Sequence, residues 1–455
     1  MPRILILAAL FAIRLVAQSA AFEEEWWRKL ADPELDRLIE RAVQNNLDLQ
    51  LSTQRVLEAR AARGIVRADL LPSTGQSVSF QRLRGRFPEP NLPVGTSPAG
   101  SSLIAASETN LVRSGLDASW ELDLFGGKRN ALKAATAEVR VSEESRRDVL
   151  VSLLSEVSGA YAELRGAQRR LAITTRYVAS QRDSLRLTQA RADAGLGTRL
   201  DVERQQAQLE STEAAAPALE SQITRTIHRL SVLLGEPPSA LLPELQAVKQ
   251  ELVISPEVPA GLPSDLLKRR PDLRRADAET AAAMARVGIA RADLFPKILL
   301  TGAAGGQSGG AQVLSLGAGS FFSIGPAITL PFLSNGRLRA NLEVRKRQLD
   351  EALTIYRKAV LVALQETEDA LTAYERERER QAKLVSALKS SRAATEMAME
   401  LYTRGLADFL SVLEAQRVQL AAEDLLAQSD TAVITNLVML YKALGGGWSV
   451  AFPER

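Results

Sequence analysis

The sequence predicts a mixed α+β membrane protein: long antiparallel α-helical hairpins of coiled-coil type, with four β-strands per chain that no single copy can close into a barrel. Three observations predict it. The chain is an internal duplication, each copy holds a proline-free helical run of nearly 70 positions, and before each run the apolar residues switch to two-residue alternation.

The duplication is read from one phrase. "RADLLP" at Arg67–Pro72 returns as "RADLFP" at Arg291–Pro296, and the same offset of 224 positions pairs Asp48 with Asp272, Leu49 with Leu273, Gly64 with Gly288 and Ile65 with Ile289. Farther on, "RADAGLGTRLDV" answers "YTRGLADFLSV", with Gly195 opposite Gly405 and Leu200 opposite Leu410 at an offset of 210. The second copy is therefore shorter by 14 positions. They fall in the Pro/Gly/Ser-rich stretch Arg84–Ser102, answered later by Gly305–Ser320, because insertions settle in exposed loops. The copies span residues 33–245 and 264–447, joined by a linker at 246–263.

Ahead of the first copy, residues 1–21 read as a signal peptide: Arg3, an apolar run from Ile4 to Ile13, then the small residues "AQSAA". An N-terminal membrane anchor is the competing reading, and the run is short for a bilayer span. No later stretch offers 18 consecutive apolar residues, so the mature chain stays outside membranes or crosses one as a barrel.

Within each copy the elements follow in order. Helices are expected over Leu47–Asp69 and Pro271–Asp293, each stopped by the proline of the repeated phrase, which cannot continue a helix. Strands follow near Ser73–Arg82 and Lys297–Gly305. The alternation is clearest from Leu116, where Leu116, Ala118, Trp120, Leu122 and Leu124 share one face, and Asp117, Ser119, Glu121 and Asp123 the other. In the second copy Phe322, Ile324, Ile328, Leu330 and Phe332 line one side. Each strand is about ten residues, the length of a tilted membrane strand.

The rods run from Gly127 to Gly195 and from Gly336 to Gly405, each roughly 100 Å at 1.5 Å per residue. Leu342, Leu349, Tyr356, Ala363 and Ala370 recur every seven, interleaved with Leu353, Val360, Thr367 and Tyr374, which is a coiled-coil seam. Single return helices are expected over Thr198–Leu234 and Ala407–Leu444. Four strands would leave open edges in lipid, so subunits must share the barrel, and three chains supply an even twelve strands.

Composition narrows the function. Hydrophobic residues reach 46% and charged residues 24%, as in folded chains. Lys plus Arg (57) nearly balances Asp plus Glu (54), a net charge of +3 that gives no field for nucleic acid. With no cysteine there are no disulfides, thiolate metal sites or cysteine nucleophiles. The one histidine, His228, lies in a helical run, and "GGK" at Gly126–Lys128 lacks the preceding glycine of a phosphate loop. No enzyme, cofactor or metal site is expected.

The duplicated plan, "NNLDL", "RADLLP", "RRPDLRRADAETAAAMARVGIARADLFP", "WELDLFGGKR", "LYTRGLADFLSVLEAQR" and "LYKALGGGW" together resemble the TolC-type outer-membrane efflux family, in its NodT branch, over about Trp26–Trp448. The resemblance implies a homotrimeric conduit in the outer membrane of a Gram-negative bacterium, with a shared twelve-stranded barrel and a periplasmic α-helical tunnel. It implies three partners: outer-membrane lipid, a periplasmic adaptor and an inner-membrane transporter. Many members of this branch carry a lipidated cysteine, and this chain has none, so anchoring should rest on the barrel. By motif match, the adaptor docks at Gly195, Leu196, Gly197 and Thr198 and at Gly405, Leu406 and Ala407. Asp408 is the candidate for a charged ring at the narrow end; a plain helix N-terminal Asp is the alternative. Asp117, Glu121 and Asp123 are expected inside the barrel. The rival reading is a periplasmic coiled-coil adaptor or scaffold, which would not need strands with one wet and one greasy face.

Overall fold

The computed structural model describes residues 25–86, 106–247, 269–308, 319–331 and 335–446. The signal segment, nearly all of the 246–263 linker and Phe332 lie outside them. Helices are α1 (Pro33–Asn45), α2 (Leu47–Ala68), α3 (Gly127–Asp193), α4 (Arg199–Glu213), α5 (Ala215–Leu233), α6 (Leu242–Leu245), α7 (Pro271–Ala292), α8 (Asn335–Thr403) and α9 (Phe409–Ala443). Strands are β1 (Ser73–Arg86), β2 (Ala106–Leu122), β3 (Lys297–Ser308) and β4 (Ser320–Thr329). The chain is mostly helical, with α3 and α8 at 67 and 69 residues. No helix among the described residues is long and apolar enough to cross a membrane.

Two compact units cut across the two repeats. The first gathers Met1–Val56, Val141–Asp277 and Ile355–Arg455; the second gathers Leu57–Arg140 and Ala278–Thr354. Each unit therefore takes chain from both copies.

The first unit is helical around one apolar core. α1 starts where Asp32 accepts the Glu34 N–H at 2.9 Å and Pro33 presets the first turn. Its Leu35, Leu38, Ile39 and Ala42 recur at helical spacing and are buried against Leu150, Leu154, Val157 and Leu164 of α3, Ile227 and Leu230 of α5, and Val433, Leu437 and Tyr441 of α9. A short 3-10 turn, Trp26–Leu30, stacks Trp26 on Tyr441 with centroids 5.0 Å apart. α3 and α9 approach closely at Gly166, where a Cβ would stand 2.1 Å from Thr431 Oγ1. Along the expected seam of α8, Ala363, Thr367 and Tyr374 are buried, the other named positions are half-buried, and Leu353 is exposed, at 37%.

The single return helix expected from Thr198 to Leu234 is instead α4 and α5, parted at Ala214. Pro217 is the cause: it has no N–H for Glu213 O and its ring crowds that carbonyl. The matching return helix, α9, runs unbroken for 35 residues.

The second unit holds the sheet, antiparallel in the order β1-β2-β3-β4. Its register lines up Gln76, Leu116, Ala304 and Phe322 in one row, and Thr74, Ala118, Gly302 and Ile324 in the next. Directly opposed residues share a face. Val78, Phe80, Leu116, Trp120, Phe322, Ile324 and Ile328 thus form one continuous apolar face, every one of them exposed, from 37% at Trp120 to 77% at Phe322. At its lower rim Trp120 donates its indole N–H to Leu70 O at 3.0 Å.

Candidate functional site

The docking candidates form two copies of one turn, both in the first unit. α3 ends in a Schellman arrangement: the Leu196 N–H donates to Arg191 O at 2.8 Å and the Gly195 N–H to Ala192 O at 3.0 Å. α8 ends alike, Leu406 N–H to Leu401 O at 2.9 Å and Gly405 N–H to Tyr402 O at 3.0 Å. Both glycines sit at positive φ, +71° and +73°, and nothing lies within 4 Å of a Cβ built on either. Their requirement is the backbone's alone. Leu196 and Leu406 follow at 70% and 71% exposure, the same apolar side chain held out twice. Gly197 and Ala407 are half-buried beneath them.

Each turn then starts a return helix with its own cap. Thr198 accepts the Asp201 N–H at 3.2 Å while Asp201 accepts the Thr198 N–H and hydroxyl, a reciprocal capping box. Asp408 takes the same place in the second turn. Its Oδ1 accepts the Ser411 hydroxyl at 2.6 Å and the Ser411 N–H at 3.1 Å, and these bonds hold the carboxyl below its usual range. The alternative reading of Asp408 as a helix N-terminal residue is therefore met in the geometry; a part in lining the narrow end is a separate matter of function. The two turns are tied together by Arg191, whose guanidinium carbon lies 4.6 Å from the Tyr402 ring centroid.

The acids expected inside the barrel part company. Asp117 lies on the polar face of β2, exposed, its carboxylate over Gly75, where a Cβ would stand 2.9 Å from Oδ2. Glu121 is on the same face but half-buried and paired with Lys128 at 3.6 Å. Asp123 is a correction: β2 ends at Leu122, and Asp123 turns to the start of α3, accepting the Lys128 N–H at 3.1 Å and the Arg129 N–H at 2.8 Å. Burial alone would raise its pKa, but those donors and the Arg129 side chain outweigh it and lower it. Gly126, at φ +80°, then turns the chain into α3. Arg113 shares the polar face, where the run of acids overshadows it; its Cζ lies 4.1 Å from the Phe321 centroid.

Sequence reading also passes over a set of ion pairs that join the repeats within the first unit. From α3, Arg169 reaches Asp430 at 2.7 Å, Arg170 reaches Asp424 at 2.6 Å and Arg176 reaches Glu423 at 2.5 Å, all on α9. Their partners lie some 250 positions apart, so no local pattern marks them.

The family described as outer membrane efflux protein matches residues 38–236 and 262–446, most of the chain and in two segments. This chain belongs to the outer membrane efflux protein family. Among its relatives, the pyoverdine export outer membrane protein OpmQ of Pseudomonas aeruginosa is 34% identical, over 93% of this chain and 87% of its own length. The solvent efflux pump outer membrane protein SrpC of Pseudomonas putida is also 34% identical, over 92% and 87%. Of solved structures, the outer-membrane channel OprN superposes with a TM-score of 0.87 at 37% identity, covering 94% of both chains. CusC does so at 0.84 and 28% identity, covering 94% of this chain and 96% of its own. As a member of this efflux family the protein is placed in the outer membrane.

Proposed function

We propose that the chain is the exit duct of a tripartite efflux pump: three copies share a twelve-stranded barrel, and the helices form a periplasmic tunnel that receives cargo passively from an inner-membrane transporter through an adaptor. One observation carries it, the four-stranded sheet whose apolar face is continuous and exposed while β1 and β4 stand as open edges. In lipid an open edge leaves backbone groups unpaired at several kcal/mol each, so edges must meet edges of other copies. Three copies of four strands give an even number within the outer-membrane range. A soluble scaffold or adaptor would have no use for such a face, which weighs against that reading.

The two glycine turns, with Leu196, Gly197 and Thr198 in one and Leu406 and Ala407 in the other, are the docking surface for the adaptor, and Asp408 lines the closed end. Opening then requires the adaptor to bind the splayed tip better than the closed one. Relatives named for pyoverdine export and for solvent efflux are equally similar, which supports a duct whose cargo is chosen elsewhere. The chain has no cysteine of its own, so single cysteines on β1 and β4 report edge pairing cleanly. Cross-linked detergent-extracted protein should run as a ladder ending at three copies. A monomer that stays in solution without detergent overturns the proposal.

A further inference from the structure

The polar face of the sheet carries a cation that its acids do not explain. Phe321 of β4 lies on this face, opposite Gly305 and, one strand on, Gly115. Its ring lies close over those two glycines: a Cβ at Gly115 would stand 3.0 Å from Phe321 Cζ and 2.9 Å from Ala304 O, and one at Gly305 would stand 2.9 Å from Cε1 and 2.2 Å from Ser114 O. A side chain at either position would crowd both the ring and the backbone of the adjacent strand. Arg113 then covers it, Cζ 4.1 Å from the centroid, in the geometry of a cation–π contact. The contact fixes the guanidinium without neutralising it, and Arg113 remains exposed.

Among the described residues, the charged positions of this face are Arg113, Asp117, Glu121 and Lys297. Glu121 is paired with Lys128 at 3.6 Å and Lys297 with Asp293 at 3.0 Å, so the lower rim is locally balanced. Neither Arg113 nor Asp117 forms an ion pair among the described residues. They are four residues apart on one strand, about 13 Å along it and about 10 Å along the axis of a tilted-strand barrel. That exceeds the Debye length of about 8 Å at physiological salt, so each sets the potential of its own level.

We propose that Arg113, held over Phe321 on its two-glycine floor, is a selectivity-determining residue: a fixed cation at one level of the barrel interior that favours anionic solutes there, opposed one level away by Asp117. This rests on the duct reading, since only a closed barrel turns the polar face into a lumen. With three copies, each level carries three like charges around one axis.

The test is the reversal potential of purified full-length protein in planar bilayers across a potassium chloride gradient. Arg113→Gln is expected to shift it toward the potassium potential, Asp117→Asn toward the chloride potential, and both shifts should shrink near 1 M salt, where the Debye length is about 3 Å. Phe321→Leu keeps the charge but frees it, and is expected to shift as Arg113→Gln does by a smaller amount. An unshifted reversal potential in Arg113→Gln channels of normal conductance overturns the inference. Should that variant fail to insert, an unshifted Phe321→Leu overturns it as well. Wild-type protein forming no channels is a different result, and sinks the duct reading instead.

Discussion

Tyr161 donates its hydroxyl to Asp32 Oδ2 at 2.6 Å from a side chain with no exposed surface. Arg165, also buried, donates Nε and Nη2 to the same phenol oxygen at 3.0 and 2.8 Å and reaches Glu34 at 2.6 Å. The cap of α1 is thereby wired into the middle of α3, and the segment that begins with Trp26 is locked to the helical core. Removing the hydroxyl leaves Asp32 without its buried donor. Tyr161→Phe is expected to cost about 1–3 kcal/mol, read as a lower midpoint in thermal or denaturant unfolding of the detergent-solubilised protein.

The same contact gives a pH dependence. Burial first, and then the bond to Asp32, push the Tyr161 phenol well above its usual range. A raised folded-state pKa contributes stability that is fully present below the unfolded value, about 10 for tyrosine, and is lost as pH rises past it. Wild type should therefore lose stability above about pH 10 more steeply than Tyr161→Phe. Parallel slopes in the two proteins would count against the buried phenol.

Arg270 is expected to be a costly cation to remove from the first unit. It is 7% exposed, binds Asp272 at 3.0 and 2.8 Å and Glu366 at 2.6 Å, and donates to Ala443 O at 2.9 Å, so it ties α7, α8 and the end of α9. Burial would raise the Asp272 carboxyl, but the Arg270 bonds outweigh it and the net shift is downward. Stability from that pair is thus present above the usual carboxylate range and lost as pH falls below it. Arg270→Met leaves the partly buried Asp272 without its cation, Glu366 being half exposed, and should cost at most about 3 kcal/mol at neutral pH, with a smaller penalty in acid. Equal penalties at both pH values would contradict the assignment.

What the sequence made legible follows from distance along the chain. The rods of α3 and α8 rest on proline-free helical runs and the greasy face of the sheet on a period of 2, and both the long helices and the alternation are found in the structure, down to Leu116 aligning with Phe322 through Ala304. The doubled glycine turns were legible because an unsupported Gly195 or Gly405 has one plain use, a left-handed cap. Asp123 misled because alternation has no marker for where a strand stops. Arg165–Glu34 and Arg169–Asp430 were invisible, since their partners are 131 and 261 positions away and nothing local distinguishes them from solvated charges. Trp26 and Trp27 gave no period over so short a segment, yet both are buried.

Pro217 supplies a test of the divided return helix. Replacing it with alanine restores the donor for Glu213 O and removes the ring's crowding, so α4 and α5 should fuse across Ala214. The expected gain is at most about 3 kcal/mol, seen as a raised unfolding midpoint and slower amide exchange near Ala214. Unchanged exchange would mean the interruption is set by packing rather than by proline.

The paired leucines test the proposed docking surface apart from stability. Leu196 and Leu406 are held out by turns whose glycines need only their left-handed backbone, so each substitution separates a contact from a conformation. Leu196→Ser with Leu406→Ser removes two exposed apolar groups and should change stability by no more than about 0.5 kcal/mol, leaving the proposed trimer intact. Gly405→Ala keeps Leu406 but forces a Cβ into φ +73°, at a cost of about 1–2 kcal/mol. If the adaptor grips the leucines, the double serine variant loses adaptor cross-linking and resistance to exported compounds while the alanine variant retains much of both. If it grips the turn's backbone shape, the order reverses. Full cross-linking and resistance in all of them would remove the turns from the docking surface.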